Sequence, residues 1–313
     1  MLHLPNYKTT WDAKSTTPTH AMLSVDGSAN EERLRTSGAY TARMVTAALD
    51  LKPTDRVLEL GCGVGRIGHE LAPHVAHWEG ADISANMLKV ARDRLAGFNN
   101  VGLTELTRSD LKALPDASFD KAYSIAVFIH MDKEDFYLYL EELARVLKPG
   151  GLVFFDTWNT SHPVGWRRFA VELNPFRGVT PTERKDVARN QFSNPEEVKS
   201  FLDHAGFETV ELFTDSPWVQ AVALRRGGGD AAAERRRVQV NASRIAYSPL
   251  WTELFDYSIR SQIEGTMTLK DALEAMQDDS RGEEMAMFRA AFIDVWRYNE
   301  EAWGPIPAHL IKP

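Results

Sequence analysis

Between residues 56 and 73 a short apolar run, Arg56-Val-Leu-Glu-Leu60, passes through a glycine-rich turn, Gly61-Cys-Gly-Val-Gly65, into a segment of helical composition, Arg66 to Pro73. A strand that enters a helix through such a turn leaves few architectures open. The helix must start at the carboxyl edge of a sheet, with its unpaired N–H groups at that edge. Glycine supplies the tight turn and allows a ligand to approach where a Cβ would collide. Gly63-Val-Gly65-Arg-Ile-Gly68 also fits the dinucleotide pattern G-x-G-x-x-G, and Asp82 follows where a ribose-binding acid is expected. The loop and Asp82 alone therefore leave a nicotinamide-dependent oxidoreductase open beside other nucleoside-binding enzymes.

Strand and helix patterns go on alternating. Trp78 to Ala81 ends a second strand, and Ser84 can cap a helix to Leu95 with Met87, Leu88 and Ala91 on one face. Val101 to Leu106 and Phe119 to Ile125 read as the third and fourth strands. Asp132 is placed to cap a helix reaching Leu147, terminated by Pro149-Gly150-Gly151, and Leu152 to Asp156 reads as the fifth strand. Thr157 to Gln191 reads as a long irregular stretch. Ser193-Asn-Pro-Glu196 fits a capping box for a helix ending at Ala205-Gly206, and Phe207 to Phe213 and Trp218 to Leu224 close the series. This order predicts an α/β fold: a doubly wound, mostly parallel seven-stranded sheet with helices on both faces.

The flanks differ from this body. Residues 1–31 are polar and turn-rich around Tyr7 and Trp11, an N-terminal segment that could form a lid. A helix is expected from Glu32 to Leu51. Residues 32–224 form the main domain, and 225–237, with Gly227-Gly228-Gly229 and flanking arginines, read as a solvated linker. Residues 238–313 read as a helical C-terminal extension. Its stripe of Met285, Phe288, Phe292, Val295 and Trp296 must be covered, either by the main domain or in a homodimer through these helices.

Val57-Leu-Glu-Leu-Gly-Cys-Gly-Val-Gly65 resembles motif I of the class I, Rossmann-like S-adenosylmethionine-dependent methyltransferases. Four further segments resemble the same family in the same order: Ala81-Asp-Ile-Ser84 with Met87-Leu88, Arg108-Ser-Asp110 with Leu114 to Asp120, Val146-Leu-Lys-Pro-Gly-Gly151, and Phe192-Ser-Asn-Pro-Glu196 through Phe207. One such motif is weak; five in order are strong. The resemblance spans residues 32–224 and implies S-adenosyl-L-methionine as cofactor. It implies that Glu59 holds the loop and the ligand's amino end, that Gly61, Gly63 and Gly65 line the methionyl group, and that Asp82 accepts from both ribose hydroxyls. It further implies that Ile83 and Met87 flank the adenine, that Asp110 accepts from its amino group with Leu111 alongside, and that Ile125 and Ala126 lie beneath the methionyl group.

On the acceptor side, His130, Asp156, Trp158 and His162 stand at or just beyond strand ends. His130 and His162 are the candidate catalytic residues, because imidazole suits a base near neutral pH. Cys62, the single cysteine, excludes an intrachain disulfide and reads as a buried thiol. His69, His74 and His77 span a helix end and a strand without a carboxylate in register, so no metal is expected. The formal charge of −8 disfavours nucleic acid as a partner. The absence of a long apolar run or an N-terminal signal core leads to the expectation of a cytoplasmic enzyme with no membrane partner. The expected activity is methyl transfer to a small-molecule oxygen or nitrogen. The rivals are an NAD(P)-dependent oxidoreductase and a non-catalytic cofactor-binding scaffold.

Overall fold

The computed structural model describes residues 6–180 and 190–311. Its strands are β1 (Arg56–Leu60), β2 (His77–Asp82), β3 (Val101–Glu105), β4 (Phe119–Ser124), β5 (Leu147–Asn159), β6 (Phe192–Ser193), β7 (Phe207–Phe213) and β8 (Trp218–Arg225). They form one sheet in the order β3-β2-β1-β4-β5-β8-β7, with the two-residue β6 added beside β5. Strands β1 to β6 pair in parallel, and β8 runs antiparallel to β5 and β7. Parallel pairs require crossovers that lie on the sheet faces, so the central strands β1, β4 and β5 are largely buried, while the edge strand β3 is only half-buried. The seven longer strands are the seven expected ones.

Two apolar layers sandwich the sheet. On one face Val45, Ala48 and Leu49 of α3 (Glu31–Leu49), Ile67 and Leu71 of α4 (Arg66–Leu71), and Leu88 and Ala91 of α5 (Ala85–Arg94) cover Trp78, Tyr123 and Phe154. On the other, Phe136, Leu140 and Leu143 of α6 (Lys133–Val146) and Val198 and Leu202 of α8 (Pro195–His204) cover Leu58, Ala122 and Phe155. Each fully buried large side chain stabilises the fold by about 1.5–3 kcal/mol relative to exposure.

Several local expectations are corrected. The fifth strand runs on through Thr157, Trp158 and Asn159, because Thr157 and Trp158 continue the ladder to β8 as pairs with Val219 and Trp218. The stretch after it contains α7 (Pro163–Leu173), capped by His162; residues 181–189 of that stretch lie outside the described residues. The cap of α8 is Asn194, which accepts from the Glu197 N–H, while Ser193 is used in β6. Asp132 stands at the N-cap of α6 without a side-chain capping bond.

Nor is the stretch 225–237 simply a linker. Gly228 packs against Pro149, and α9 (Ala231–Val240) begins at once. Arg235 donates to the carbonyls of Thr209 and Val210, and Arg237 donates at 2.7 Å to the carbonyls of Ala47 and Ala48. Those last two are orphan acceptors in the final turn of α3, where a cation also meets the negative end of the helix dipole.

Beyond α9 come α10 (Ala242–Ile245), α11 (Pro249–Ile259), α12 (Leu269–Ala275), α13 (Glu283–Tyr298) and α14 (Glu300–Trp303). They build a core of their own from Leu254, Leu273, Met276, Met285, Phe292 and Trp296. The extension docks on the main domain through α3: Tyr40 donates to Glu284 at 2.6 Å, and Arg43 pairs with Glu283. At the other end α1 (Tyr7–Lys14) and α2 (Pro18–Asp26) lie over the start of α5. No helix among the described residues is long and apolar enough to cross a membrane.

Candidate active site

The carboxyl ends of β1, β2 and β4 open onto a cavity of about 310 Å³. The chain reverses its direction of winding between β1 and β4, the point at which open α/β sheets leave a crevice for ligands. Of the residues singled out from sequence, Glu59, Gly61, Gly63, Asp82, Ile83, Met87, Ile125, Ala126 and His130 line this cavity.

The glycine loop works differently from the expectation of N–H groups turned to a ligand. The N–H groups of Gly61 and Cys62 donate to the Ala81 carbonyl at 2.7 and 3.2 Å, that of Gly63 to Asp82 Oδ2 at 2.8 Å, and that of Gly65 to the Cys62 carbonyl at 2.9 Å. What the glycines provide is backbone shape and missing volume. Gly63 adopts φ of 51°, and a Cβ there would stand 3.1 Å from Val25 of α2; a Cβ on Gly61 would stand 2.3 Å from Val127. Gly65 does not line the cavity: it starts α4 in the left-handed conformation and packs against Ala91 and Leu95.

Two buried carboxylates face the cavity. Asp82 accepts through Oδ2 from Gly63 and through Oδ1 from the Ser84 N–H at 2.8 Å, which leaves further lone pairs on both oxygens. Burial raises its carboxyl above the ordinary value against these bonds. Glu59 accepts the Tyr123 hydroxyl at 2.6 Å, and Tyr123 in turn accepts the Trp78 indole N–H at 2.9 Å. Burial pushes the Glu59 carboxyl up to about 8, opposed by the Tyr123 bond and by the Arg66 charge. Cys62 is buried beside them and its thiol is pushed up by the same burial.

Beside Asp82 the wall is apolar, built of Ile83, Met87, Leu106 and Tyr139. Expected contributors to this wall are missing. Asp110 folds back on its own turn, accepting the Lys112 N–H at 3.2 Å, and Leu111 is a fully buried core residue. A short-range turn bond thus takes one oxygen of the side chain that was expected at an adenine, and neither Asp110 nor Leu111 lines the cavity. The wall is closed instead by Leu106 and by Tyr139, which occupies the buried face of α6.

His130 ends the 3-10 turn that follows β4 and meets the Trp11 ring edge-on, with centroids 5.0 Å apart. His162 is elsewhere: its Nδ1 accepts the Val164 N–H at 3.2 Å as the cap of α7, and it does not line the cavity. Trp158 stacks on Trp218 in an aromatic cluster beside Ile129. Asp156, 1% exposed, accepts the Ala126 N–H at 2.6 Å and the Tyr247 hydroxyl at 3.0 Å.

The N-terminal segment, expected as a possible lid but without named site residues, contributes to the cavity. Tyr7, Trp11, Ser24 and Val25 from α1 and α2 line the cavity. Asp12 and Ser15 bind the Ser84 hydroxyl, Asn86 donates to the Asp12 carbonyl, and Lys8 pairs with Glu105 at 2.7 Å. The signal available was two aromatic rings in an otherwise polar segment.

The arrangement suits a nucleoside with a cationic tail. Asp82 can accept a pair of hydroxyls beside an apolar slot for a base, and Glu59 can face a positive group. The volume left by Gly63 is a place where a side chain would intrude.

Comparison with known proteins agrees with that chemistry. Residues 57–151 match the methyltransferase domain family. The chain is 35% identical over 190 residues to a demethylmenaquinone methyltransferase of Clavibacter sepedonicus, covering 55% of this chain and 73% of that protein. It is 30% identical over 198 residues to the O-methyltransferase rstn1 of Aspergillus nomiae, covering 61% and 80%. Its match to methyltransferase GfsG of Streptomyces halstedii, 36% over 121 residues, spans 38% of this chain and 43% of that protein's length. In fold it is similar to the magnesium protoporphyrin IX methyltransferase of Synechocystis with bound SAH, at a TM-score of 0.51 and 19% identity, over 70% of this chain and 97% of that one. With that fold, the matched motif region and two relatives of 30% identity or more covered over 73% and 80% of their length, the chain belongs to the S-adenosylmethionine-dependent methyltransferases.

Proposed function

We propose that this methyltransferase acts on a small-molecule oxygen or nitrogen acceptor held next to His130. The observation that carries the reading is the roofed cavity of about 310 Å³, with two carboxylates on one wall and an imidazole on another. That size is at the lower end of small-ligand pockets, about 300–1,000 Å³. The names of the relatives include O- and N-methyltransferases, which fits a shared cofactor half joined to different acceptor halves.

In this reading Asp82 accepts the ribose hydroxyls, Ile83 and Met87 flank the adenine with Leu106 and Tyr139, and Glu59 holds the amino end. Gly61, Gly63, Ile125 and Ala126 leave room for the methionyl chain. When bound, S-adenosylmethionine supplies a methyl group already activated on a positively charged sulfur. The remaining task of the protein is to align the acceptor lone pair with that carbon and to exclude water. For a hydroxyl acceptor, a ring nitrogen of His130 would take the proton released as the methyl group passes from sulfur to oxygen and the sulfur is left neutral. Trp11 packs edge-on against the imidazole.

The test is incubation with methyl-labelled cofactor and a cell extract separated into small-molecule, protein and nucleic-acid fractions. Label is expected in the small-molecule fraction. Label confined to protein or nucleic acid would refute the acceptor class.

A further inference from the structure

Ala126 is a residue with an unusual backbone in a consequential place. It follows β4, lines the cavity and adopts φ of 59°, the left-handed region that alanine rarely enters. Its neighbour Val127 abuts the position where Gly61 lacks a Cβ, so the corner at 126–127 forms one side of the passage beside the glycine loop. A strained non-glycine residue persists where its surroundings over-determine it. Nothing in the corner's own sequence supplies that constraint.

The constraint comes from two directions. Asp156 on β5 accepts the Ala126 N–H through Oδ1 at 2.6 Å. Its other oxygen, Oδ2, accepts the Tyr247 hydroxyl at 3.0 Å, from a residue outside the family-matched region 57–151. Tyr247 is itself held three ways. Its N–H donates to Gln220 Oε1 at 2.8 Å, and Gln220, fully buried on β8, donates through Nε2 to the Ile245 carbonyl at 3.0 Å. Its ring stacks on Trp251 with centroids 4.8 Å apart and lies 5.0 Å from Trp218. A buried amide on the sheet and two indoles therefore aim one hydroxyl at one carboxylate, and that carboxylate at one strained peptide.

We propose that Tyr247 is a positioning residue for the cofactor pocket: through Asp156 it holds the left-handed peptide of Ala126, so that the C-terminal extension completes the methionyl side of the site. The proposal rests on the reading of this cavity as the cofactor site. Burial pushes the Asp156 carboxyl up to about 6, with the bonds from Ala126 and Tyr247 and the charge of Arg66 pulling the other way. Asp156 can thus serve as a double acceptor near neutral pH. Without the hydroxyl, its second oxygen is left buried and unpaired, and the corner loses part of what holds it against its preferred backbone.

Tyr247→Phe keeps the stacked ring and removes only the hydroxyl. The experiment is calorimetric titration of the full chain with S-adenosylhomocysteine, together with thermal unfolding in the absence of ligand. Tyr247→Phe is expected to weaken binding by about tenfold, equivalent to ~1.4 kcal/mol. The decisive comparison is the same substitution in an Ala126→Gly background. Glycine takes the left-handed conformation without penalty, so the loss there should shrink to about twofold or less. A merely structural role would give the same loss in both backgrounds, and that result would overturn the proposal. So would unchanged affinity in Tyr247→Phe while Asp82→Ala loses binding. If Asp82→Ala itself binds like the parent chain, the cofactor reading of the cavity falls and the positioning role falls with it.

Discussion

Cofactor binding is expected to depend on pH through Glu59. Its carboxyl is buried at 4% exposure and pushed up to about 8, with Tyr123 as hydrogen-bond partner. Below that pH it is protonated and neutral in the ligand-free chain. If it faces the cofactor's ammonium group, the ionised form is the binding form, and binding must expel the proton. Each unit below the carboxyl's value then costs a factor of ten, so near pH 6 the affinity should fall by up to about a hundredfold, ~2.7 kcal/mol. The sign is that affinity rises with pH and levels off above about 8. The same shift acts oppositely on the ligand-free fold. A carboxyl raised above its unfolded value contributes stability at low pH that is lost as pH rises through its folded value. Glu59→Gln should therefore flatten the binding profile, weaken binding at about pH 8 by ~1.5–3 kcal/mol, and leave the ligand-free protein at least as stable at that pH. The assay is calorimetry with S-adenosylhomocysteine from about pH 6 to 8, in buffers of different ionisation enthalpy, which counts released protons. Constant affinity with no proton release would refute the assignment of Glu59 to the amino end.

Gly63→Val should abolish S-adenosylhomocysteine binding in a chain that still folds by circular dichroism, since φ of 51° resists a β-branched residue and the new Cβ would push on Val25; normal affinity would exclude the loop as the cradle. With an oxygen acceptor, His130→Ala should lower turnover by about a hundredfold to ten-thousandfold and leave cofactor affinity nearly intact. Turnover unchanged across the pH profile would remove the base role. Truncation after Gly227 removes Tyr247, Arg237 and the apolar side of the extension, so it should lower solubility in sedimentation assays and cofactor affinity together. A soluble truncated chain with parental affinity would show that the extension is dispensable.

The half of the site built by β1 and β2 was legible because its signals are local. Strand, glycine turn and Asp82 stand at fixed spacing, and the sheet geometry brings them together. The other parts depended on tertiary structure. Tyr139 sits on the apolar face of α6 among Phe136, Leu140 and Leu143, where nothing in sequence separates a cavity wall from core. The N-terminal segment was legible as a possible lid, but α1 and α2 are short and bury little beyond Tyr7 and Ala21, so no apolar period marked which of their residues reach the cavity. Asp110 holds the expected motif position, yet one of its oxygens accepts the Lys112 N–H and the residue is not among those lining the cavity. Asp156 was visible as a polar residue at a strand end, but its partners Ala126 and Tyr247 lie on separate elements and only the fold joins them.

The internal bonding of the glycine loop has a further consequence. With the amides of Gly61, Cys62, Gly63 and Gly65 all bonded within the protein, the loop's shape is held by the chain's own groups and does not depend on bonds to a ligand. Binding then forfeits little chain entropy at the cradle, and affinity comes from side chains meeting a shape already formed. Those four amide protons should exchange slowly with solvent deuterium even in the empty enzyme, and adding S-adenosylhomocysteine should slow them only slightly further.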